Sequence, residues 1–283
     1  MTCATSPQDF QIRTIAPGVL VLRHRHVEGN TGVVVGSEAA VVIDTGPGPD
    51  HGALIRSVLL ELDVPCVGTI LTHGHWDHVL GGGFGAVTIA HARTGYLMKA
   101  ALSNMSRITG RPRGEIEESL PWPTADVSKW QSIDLGDRLV ELMPTPGHSP
   151  DSICVFVPDC GILFGGDTVV TCIPPVFRDG NSRQLEATLA TLTGKSGLSV
   201  IVPGHGRIAT EDGVLDALKW PQWYIQSLRT AISQMAPASE EALFRVLTYD
   251  LYIGDRFNRR LHRMNWRHEL TIRTLLAEAN ASP

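Results

Sequence analysis

Short apolar runs separated by turn residues dominate the first part of the chain. Valine, leucine and isoleucine gather in these runs, and Gly, Asn and Glu separate one run from the next. Runs of this kind are typical of β-strands. The pattern predicts strands over residues 19–22, 31–35, 39–43 and 67–71.

Apolar residues recur at helical spacing between the third and fourth of these runs, which predicts a helix over residues 51–62. A strand, a helix and a second strand, with a loop at the last carboxyl end, form the arrangement in which α/β proteins place their sites. The strand at 67–71 runs almost directly into His73. We therefore expect an α/β fold with functional groups at this end of a sheet.

The second half of the chain continues with strands and then becomes mostly helical. Residues 108–130 are rich in proline, glycine and charge, which indicates a surface insertion or a lid. We predict a catalytic domain over residues 1–212 and a C-terminal helical extension over residues 213–283 that packs on the same domain. Further strands are predicted over residues 87–90, 139–142, 152–157, 162–164 and 199–202, and a helix over 183–192.

Composition and charge restrict the possible partners. The 283 residues are 43% hydrophobic and 19% charged, which is ordinary for a globular enzyme with a small-molecule substrate. The net charge is −5 and no stripe of Lys or Arg is present, so nucleic acid is not an expected partner. No stretch approaches ~18 apolar residues, so no membrane span is expected. Five scattered cysteines without a CxxC pair favour the reducing cytoplasm. Nothing in the pattern fixes an oligomeric state.

The segment THGHWDH at residues 72–78 carries the strongest chemical signal. In an extended stretch His73 and His75 point the same way, because side chains alternate with period two. The turn that follows swings Asp77 and His78 to the other side of the same space. A single histidine in a loop is more often a polar surface group, but this set offers two ligands to one ion and two to its neighbour. Imidazole nitrogen and carboxylate oxygen suit zinc.

Three further segments place one candidate ligand each just past the carboxyl end of a predicted strand and beside glycine. His148 lies in TPGHS, Asp167 in GGDT and His205 in PGHG. Taken singly each is a weak signal. Together with residues 72–78 they predict one metal centre built from several strand ends.

These motifs, in this order, resemble those of the metallo-β-lactamase superfamily over about residues 15–210. The resemblance rests on HGHWDH at 73–78, PGHS at 146–149, GGD at 165–167, PGHG at 203–206 and IDTG at 43–46. It implies a four-layer αββα sandwich, with two mixed β-sheets flanked by helices. It also implies that Asp44 orients a ligand or the site loop. By the same resemblance the first ion is held by His73, His75 and His148, the second by Asp77, His78 and His205, and Asp167 bridges them.

The expected cofactors are two Zn²⁺ ions, with iron or manganese as alternatives for such a His/Asp site. Metal ions in such a site activate water for attack on a carbonyl or phosphoryl centre. Asp77 is a candidate catalytic residue, acting as a proton shuttle in addition to its role as a ligand. The intact ligand set favours catalysis over a non-catalytic metal-binding or redox role.

The residue at position 167 bears on the substrate class. Some β-lactam-hydrolysing members of the superfamily have Cys where this chain has Asp167. We therefore favour hydrolysis of an ester, thioester or lactone, with β-lactam amide hydrolysis or phosphodiester hydrolysis as alternatives. Trp76, Phe84, Phe177 and Arg178 are candidates to line the substrate pocket. For Trp76, packing on the sheet edge is an equal alternative, and for Arg178 a surface ion pair with Asp179 is the more common role.

Overall fold

The computed structural model describes residues 10–177, 179–254, 256–257 and 265–281. The first half of the chain forms a seven-stranded mixed sheet in which the strands follow sequence order. The first four strands are antiparallel neighbours, and the next three continue in parallel. Its strands are β1 (Phe10–Ala16), β2 (Val19–His24), β3 (Asn30–Val35), β4 (Ala40–Ile43), β5 (Cys66–Ile70), β6 (Val87–Ala90) and β7 (Ala125–Asp126).

The second half forms a six-stranded mixed sheet. All neighbouring strands in it are antiparallel except one pair, Ile162–Gly166 and Val200–Pro203, which is parallel. Its strands, from one edge to the other, are β13 (Ala209–Thr210), β12 (Val200–Pro203), β11 (Ile162–Gly166), β10 (Ile153–Val157), β9 (Leu139–Pro144) and β8 (Gln131–Asp134).

Helices cover the outer faces of both sheets. Local sequence fixes several of their ends: Gly110 closes the third helix in a left-handed conformation, and the Asn181 side chain accepts a hydrogen bond at the start of the fifth. The helices are α1 (Pro49–Leu60), α2 (Trp76–Val79), α3 (Thr94–Thr109), α4 (Arg113–Ser119), α5 (Ser182–Thr193), α6 (Asp212–Gln234), α7 (Glu240–Val246), α8 (Tyr249–Tyr252) and α9 (Asn265–Ala281).

The apolar side chains divide into layers that match the alternation along each strand. Val41 and Ile43 of β4 face Val155 of β10 in the core between the sheets, while Val42 points outward against Ile55 of α1. On the far side, Phe156 of β10 packs outward among the apolar residues of α5 and α6. The predicted αββα sandwich of two mixed sheets is confirmed.

Residues 108–130 contain regular secondary structure, in place of the predicted surface insertion or lid. They include the end of α3, all of α4 and the edge strand β7. Ile116 is fully buried and Leu120 nearly so, and both pack in one cluster with Met105 of α3. The proline and glycine content concealed a short helix because α4 is held by this packing and not by its intrinsic propensity. Strand β1 was also not predicted, since Phe10–Ala16 is largely exposed at the sheet edge.

The C-terminal helices pack on the outer face of the second sheet, with α6 against α5 and α9 against α6. Whether residues 213–283 form an extension distinct from the catalytic domain stays a prediction. None of the helices in the described ranges is long and apolar enough to cross a bilayer.

The fold brings the carboxyl ends of five strands to one edge of the sandwich, namely those of β4, β5, β9, β11 and β12. Strands β4 and β5 run parallel in the first sheet, as do β11 and β12 in the second. Two backbone hydrogen bonds tie the sheets together there, from Ile153 N to Thr72 O at 2.8 Å and from Asn30 N to Gly204 O at 2.9 Å. The loops that leave these strand ends therefore meet in one place.

Candidate metal centre

Three histidines and one aspartate form the first group of candidate ligands. One donor atom from each of His73, His75, His148 and Asp167 lies within 4.8 Å of all the others. His148 Nε2 is 3.0 Å from His75 Nδ1, although a long stretch of chain separates the two residues. The structure thus brings together the residues that the motifs assigned to the first ion.

A second group lies beside the first. Donor atoms of Asp77, His78 and His205 also lie within 4.8 Å of one another, and His205 Nε2 is 3.2 Å from Asp77 Oδ2. Asp167 faces both groups: Oδ1 is 3.3 Å from His78 Nε2 and 3.4 Å from His205 Nε2, while Oδ2 is 3.8 Å from His148 Nε2. This is the position that a bridging carboxylate would occupy.

The segment Thr72–His78 supplies both groups because its backbone changes conformation halfway along. Strand β5 ends at Ile70, and His75, which has an extended conformation, caps the short helix α2. The rings of His73 and His75 then lie together, with centroids 4.6 Å apart. Helix α2 turns Asp77 and His78 towards the second group, which is the change of side expected from the sequence.

The outer nitrogen of each imidazole is held by a partner outside the cluster. His148 Nδ1 donates to Val176 O at 2.6 Å, and His205 Nδ1 donates to Val27 O at 2.7 Å. His75 Nε2 lies 3.3 Å from Asp179 Oδ2. In the neutral imidazoles, these contacts place the proton on the outer nitrogen and leave the inner nitrogen with a lone pair directed at the cluster, which is the usual arrangement around metal-binding histidines.

Asp44 lies outside the two groups and holds His78 and Thr72 through hydrogen bonds. Its Oδ2 accepts hydrogen bonds from His78 Nδ1 at 2.8 Å and from the Thr72 hydroxyl at 2.7 Å, and its Oδ1 accepts from Thr72 N at 2.7 Å. The Thr72 hydroxyl, having donated its proton, accepts from His73 Nδ1 at 3.1 Å. Asp44 also has a left-handed φ of 57°, a conformation that Asp tolerates better than most residues. These contacts fit the predicted role of Asp44 in orienting a ligand or the site loop.

The donor atoms fit a metal site and are poorly satisfied without one. Nε2 of His73, Nε2 of His78 and Oδ1 of Asp167 are buried and have no hydrogen-bond partner among the described residues. When the outer nitrogens of His75 and His148 both carry the proton, their inner nitrogens face each other at 3.0 Å as two lone pairs, which a cation near both would stabilise. Buried polar atoms without partners are costly, and a divalent cation ligated by nitrogen and oxygen would satisfy this set.

The surroundings give the two groups different protonation. Burial lowers the pKa of His148 to about 4, and burial together with the neighbouring His78 holds the pKa of His73 well below its usual value. Burial acts in the same direction on His78, but Asp44 and Asp167 outweigh it and raise the pKa of His78 well above its usual value. Asp167 and Asp77 likewise raise the pKa of His205 against the effect of burial.

Two further contacts hold the ligands in place. Asp151 Oδ2 accepts from Gly74 N at 2.9 Å and so fixes the backbone between His73 and His75. Gly204 approaches the cluster so closely that a Cβ there would lie 2.1 Å from Asp167 Oδ1. Asp151 and Asp179 were not identified as functional from the sequence. The only local signal for Asp151 was its position two residues beyond the PGHS motif.

Known proteins share this arrangement of motifs. A family model described as the metallo-beta-lactamase superfamily matches residues 25–205, which is more than half of the chain. The chain belongs to the metallo-β-lactamase superfamily. All seven candidate ligands lie within the matched segment.

Named relatives within the superfamily include hydrolases. The chain is 31% identical over 186 residues to the acyl-coenzyme A thioesterase MBLAC2 of Bos taurus, covering 56% of this chain and 65% of that protein. It is 28% identical over 142 residues to the hydroxyacylglutathione hydrolase of Methylobacterium sp. (strain 4-46), covering 50% of this chain and 49% of that protein. The chain thus matches only about half to two thirds of the length of these relatives.

Solved structures agree on the fold. The DIM-1 metallo-beta-lactamase superposes with a TM-score of 0.60 at 20% identity, covering 76% of this chain and 96% of that one. The metallo-beta-lactamase from Pontibacter korlensis gives a TM-score of 0.56 at 20% identity, covering 74% of this chain and 99% of that one. At this identity the likeness shows the superfamily fold alone.

A cavity of about 580 Å³ opens over the candidate metal centre, within the size range of small-molecule sites. Its floor includes His75, Asp77, His148, Asp167 and His205. One wall is the apolar face of α3 and another is the start of α9, which contributes Trp266, Arg267 and Leu270. Helix α9 lies beyond the segment matched by the superfamily model, so this wall was not signalled by the superfamily motifs.

Only one of the residues predicted to line the substrate pocket does so among the described residues. Trp76 lines the cavity and also contacts the apolar cluster beside α3. Phe84 and Phe177 do not line it: both are buried in the core, Phe84 against α1 and Phe177 among the residues of α5 and α6. Both rings contribute a large apolar area to the core, and its burial outweighed their predicted place at the pocket. Arg178 lies outside the described residues.

Proposed function

We propose that this chain is a dinuclear metal-dependent hydrolase that cleaves an ester, thioester or lactone carbonyl. The observation that carries the proposal is the convergence of seven donor residues, with outer imidazole nitrogens fixed by partners, on the floor of a small-molecule cavity. His73, His75 and His148 would hold one ion, and Asp77, His78 and His205 the other, with Asp167 between them. Zinc is the metal we favour, with iron or manganese as alternatives.

The bound metal ions and the residues around them would make different contributions to the reaction. Bound divalent cations supply Lewis-acid activation of water and of the acyl carbonyl. The chain's own residues keep the ligand lone pairs directed inwards through Val176 O, Val27 O and Asp44. Burial of four of the five candidate-ligand imidazoles, all except that of His75, excludes bulk water from their nitrogens and strengthens the electrostatic interactions there.

Asp77 is proposed to move a proton in addition to acting as a ligand. Its carboxylate lines the cavity, and its contact with His205 helps to lower the pKa of Asp77 to about 2 against the effect of burial. Asp77 is thus ionised at neutral pH and free to accept a proton, although as a weak base. For an Asp77→Asn protein with full metal content, we expect turnover to fall by about 10²-fold, the lower end for a proton-transfer residue. Full turnover at full metal content would remove the shuttle role.

The choice of a carbonyl substrate is supported by the relatives and by the cavity. The two named relatives, an acyl-coenzyme A thioesterase and a hydroxyacylglutathione hydrolase, both act on acyl compounds by name. Leu97, Ala101 and Met105 of α3 line the cavity and offer an apolar surface to an acyl chain.

The test is a substrate panel applied to protein of known metal content. Chromogenic esters, acyl thioesters and lactones would be compared with nitrocefin, a β-lactam, and bis(p-nitrophenyl) phosphate, a phosphodiester. We expect kcat/KM for the best ester, thioester or lactone to exceed both comparators by at least about 10²-fold, because differential transition-state binding sets such ratios. Preference for nitrocefin or for the phosphodiester would replace the proposed substrate class.

A further inference from the structure

Arg267 occupies an unusual position in the wall of the cavity. It lies in the first turn of α9, and its side chain lines the same cavity as the candidate metal centre. Its guanidinium carbon lies 4.9 Å from the centre of the Trp266 ring. Nε of Arg267 is buried and makes no hydrogen bond, and within the described ranges no carboxylate forms an ion pair with the guanidinium.

Three other arginines of the C-terminal region form ion pairs. Arg229 contacts Glu186 at 2.5 Å, Arg273 contacts Glu240 at 2.7 Å, and Arg256 is paired with Asp216. Arginine keeps its charge in proteins, and a buried donor without an acceptor is costly. Arg267 is therefore a charged donor group held at the substrate cavity with unused hydrogen-bonding capacity.

The opposite wall differs in chemistry. Helix α3 presents Leu97, Ala101 and Met105 to the cavity, and Arg107 with its partner Asn104 lies farther along the same helix, also at the cavity. A ligand with an apolar part and an anionic part would match both walls. The guanidinium fork suits a carboxylate or phosphate, which it binds with two parallel hydrogen bonds.

We infer that Arg267 determines specificity by binding a carboxylate or phosphate group of the substrate, while the α3 wall holds its apolar part. This inference rests on the proposed function, since it names a group on the substrate of the same site. Arg267 lies in α9, beyond the segment matched by the superfamily model, so the superfamily motifs do not assign this residue a role.

The test compares Arg267→Gln with the wild-type protein on three thioesters. Butyryl-N-acetylcysteamine has no charge. S-butyrylglutathione has carboxylates in its glutathione part, which leaves as the thiol, and glutaryl-N-acetylcysteamine has a carboxylate at the end of its acyl chain. We expect kcat/KM to fall by about 10- to 100-fold for at least one anionic substrate, mainly through KM, as for loss of a charged hydrogen bond. The neutral thioester should change by no more than about twofold, since no such bond is lost.

Two variants control for charge and for folding. Arg273→Gln removes one positive charge from the same helix at a residue paired with Glu240 and outside the cavity lining, and should leave all three values unchanged. Arg267→Lys keeps the charge but loses the fork, and should recover only part of the loss. An equal change for the anionic and neutral thioesters, or no change for any of them, would overturn the inference.

A binding measurement separates this inference from the proposed function. Calorimetric titration with S-butylglutathione and with glutarate needs no turnover. Weaker binding of either anion to Arg267→Gln, with binding to Arg273→Gln unchanged, supports the anion site even if no thioester is hydrolysed. Equal binding to the wild-type and Arg267→Gln proteins overturns it, whatever the substrate panel shows.

Discussion

The two groups of candidate ligands share Asp167 but lie in opposite electrostatic surroundings. His73 and His148 are held by a hydroxyl and a backbone carbonyl, and burial keeps both imidazoles neutral. His78 and His205 lie beside carboxylates, which favour their protonated forms over the effect of burial. A cation entering the first group meets free lone pairs, whereas a cation entering the second must displace protons. The two sites should therefore differ in pH dependence and in their sensitivity to their supporting residues.

The largest effect is expected from Asp167→Ala, because this carboxylate faces both groups. Metal content should fall at both sites, and activity should fall by at least about 10³-fold, since metal ions contribute several kcal/mol to such reactions. Elemental analysis and initial rates check this prediction. Asp63→Ala, at an exposed position, controls for loss of an aspartate. Loss of only one equivalent of metal would show that Asp167 does not bridge.

His148→Ala and His205→Ala should separate the two groups. Each removes a ligand from one group alone, so each protein should retain about one equivalent of metal, in different environments. Substitution with cobalt and visible spectroscopy would distinguish the sites that remain. Identical spectra for the two variants would contradict the division into two groups.

Asp44→Asn should weaken the second group more than Asp179→Asn weakens the first. Asp44 is buried and accepts from His78 Nδ1 at 2.8 Å, whereas the Asp179 side chain is 42% exposed and lies 3.3 Å from His75 Nε2. Loss of an outer partner costs about 10- to 100-fold in metal affinity, and we expect the upper half of this range for Asp44 and the lower half for Asp179. Competition with a chromogenic chelator measures both. The reverse order would contradict the proposed difference.

The smallest expected difference between the two groups is in how their metal affinity depends on pH. His148, with a pKa of about 4, and His73, with a lowered pKa, need to lose no proton near neutrality. His78 and His205 have raised pKa values, so metal must displace their protons, and affinity at the second group falls as the pH falls below those values. Between about pH 7.5 and 5.5 we expect the second group to lose at least ~10-fold more affinity than the first. Chelator competition with the His148→Ala and His205→Ala proteins at each pH resolves the two groups, and parallel losses would contradict the account.

The candidate ligand residues could be identified from the sequence because each follows a short apolar strand and carries distinctive chemistry. The period of two in a strand placed His73 and His75 on one side, and the structure agrees. The IDTG motif likewise led to Asp44. These predictions depended on local sequence and on a shared order of motifs, both of which are visible without coordinates.

Packing between distant segments determines the features that could not be predicted, which are helix α4, the core positions of Phe84 and Phe177, and the cavity wall from α9. Helix α4 is a short segment with mixed composition, and its helical state follows from the burial of Ile116 against α3. Phe84 and Phe177 looked like pocket residues but lie in the core. The sequence of α9 alone does not fix its position beside the candidate metal centre, because that position is set by how α9 packs on α6.

The central claim is that these seven residues hold the metal on which hydrolysis depends. Its most direct test is metal content measured together with hydrolysis of the best panel substrate during removal and return of metal. The account predicts about two equivalents per chain, loss of activity as a chelator removes them, and recovery on adding Zn²⁺ to the wild-type protein but not to Asp167→Ala. Full activity in protein shown by elemental analysis to contain no metal would contradict it.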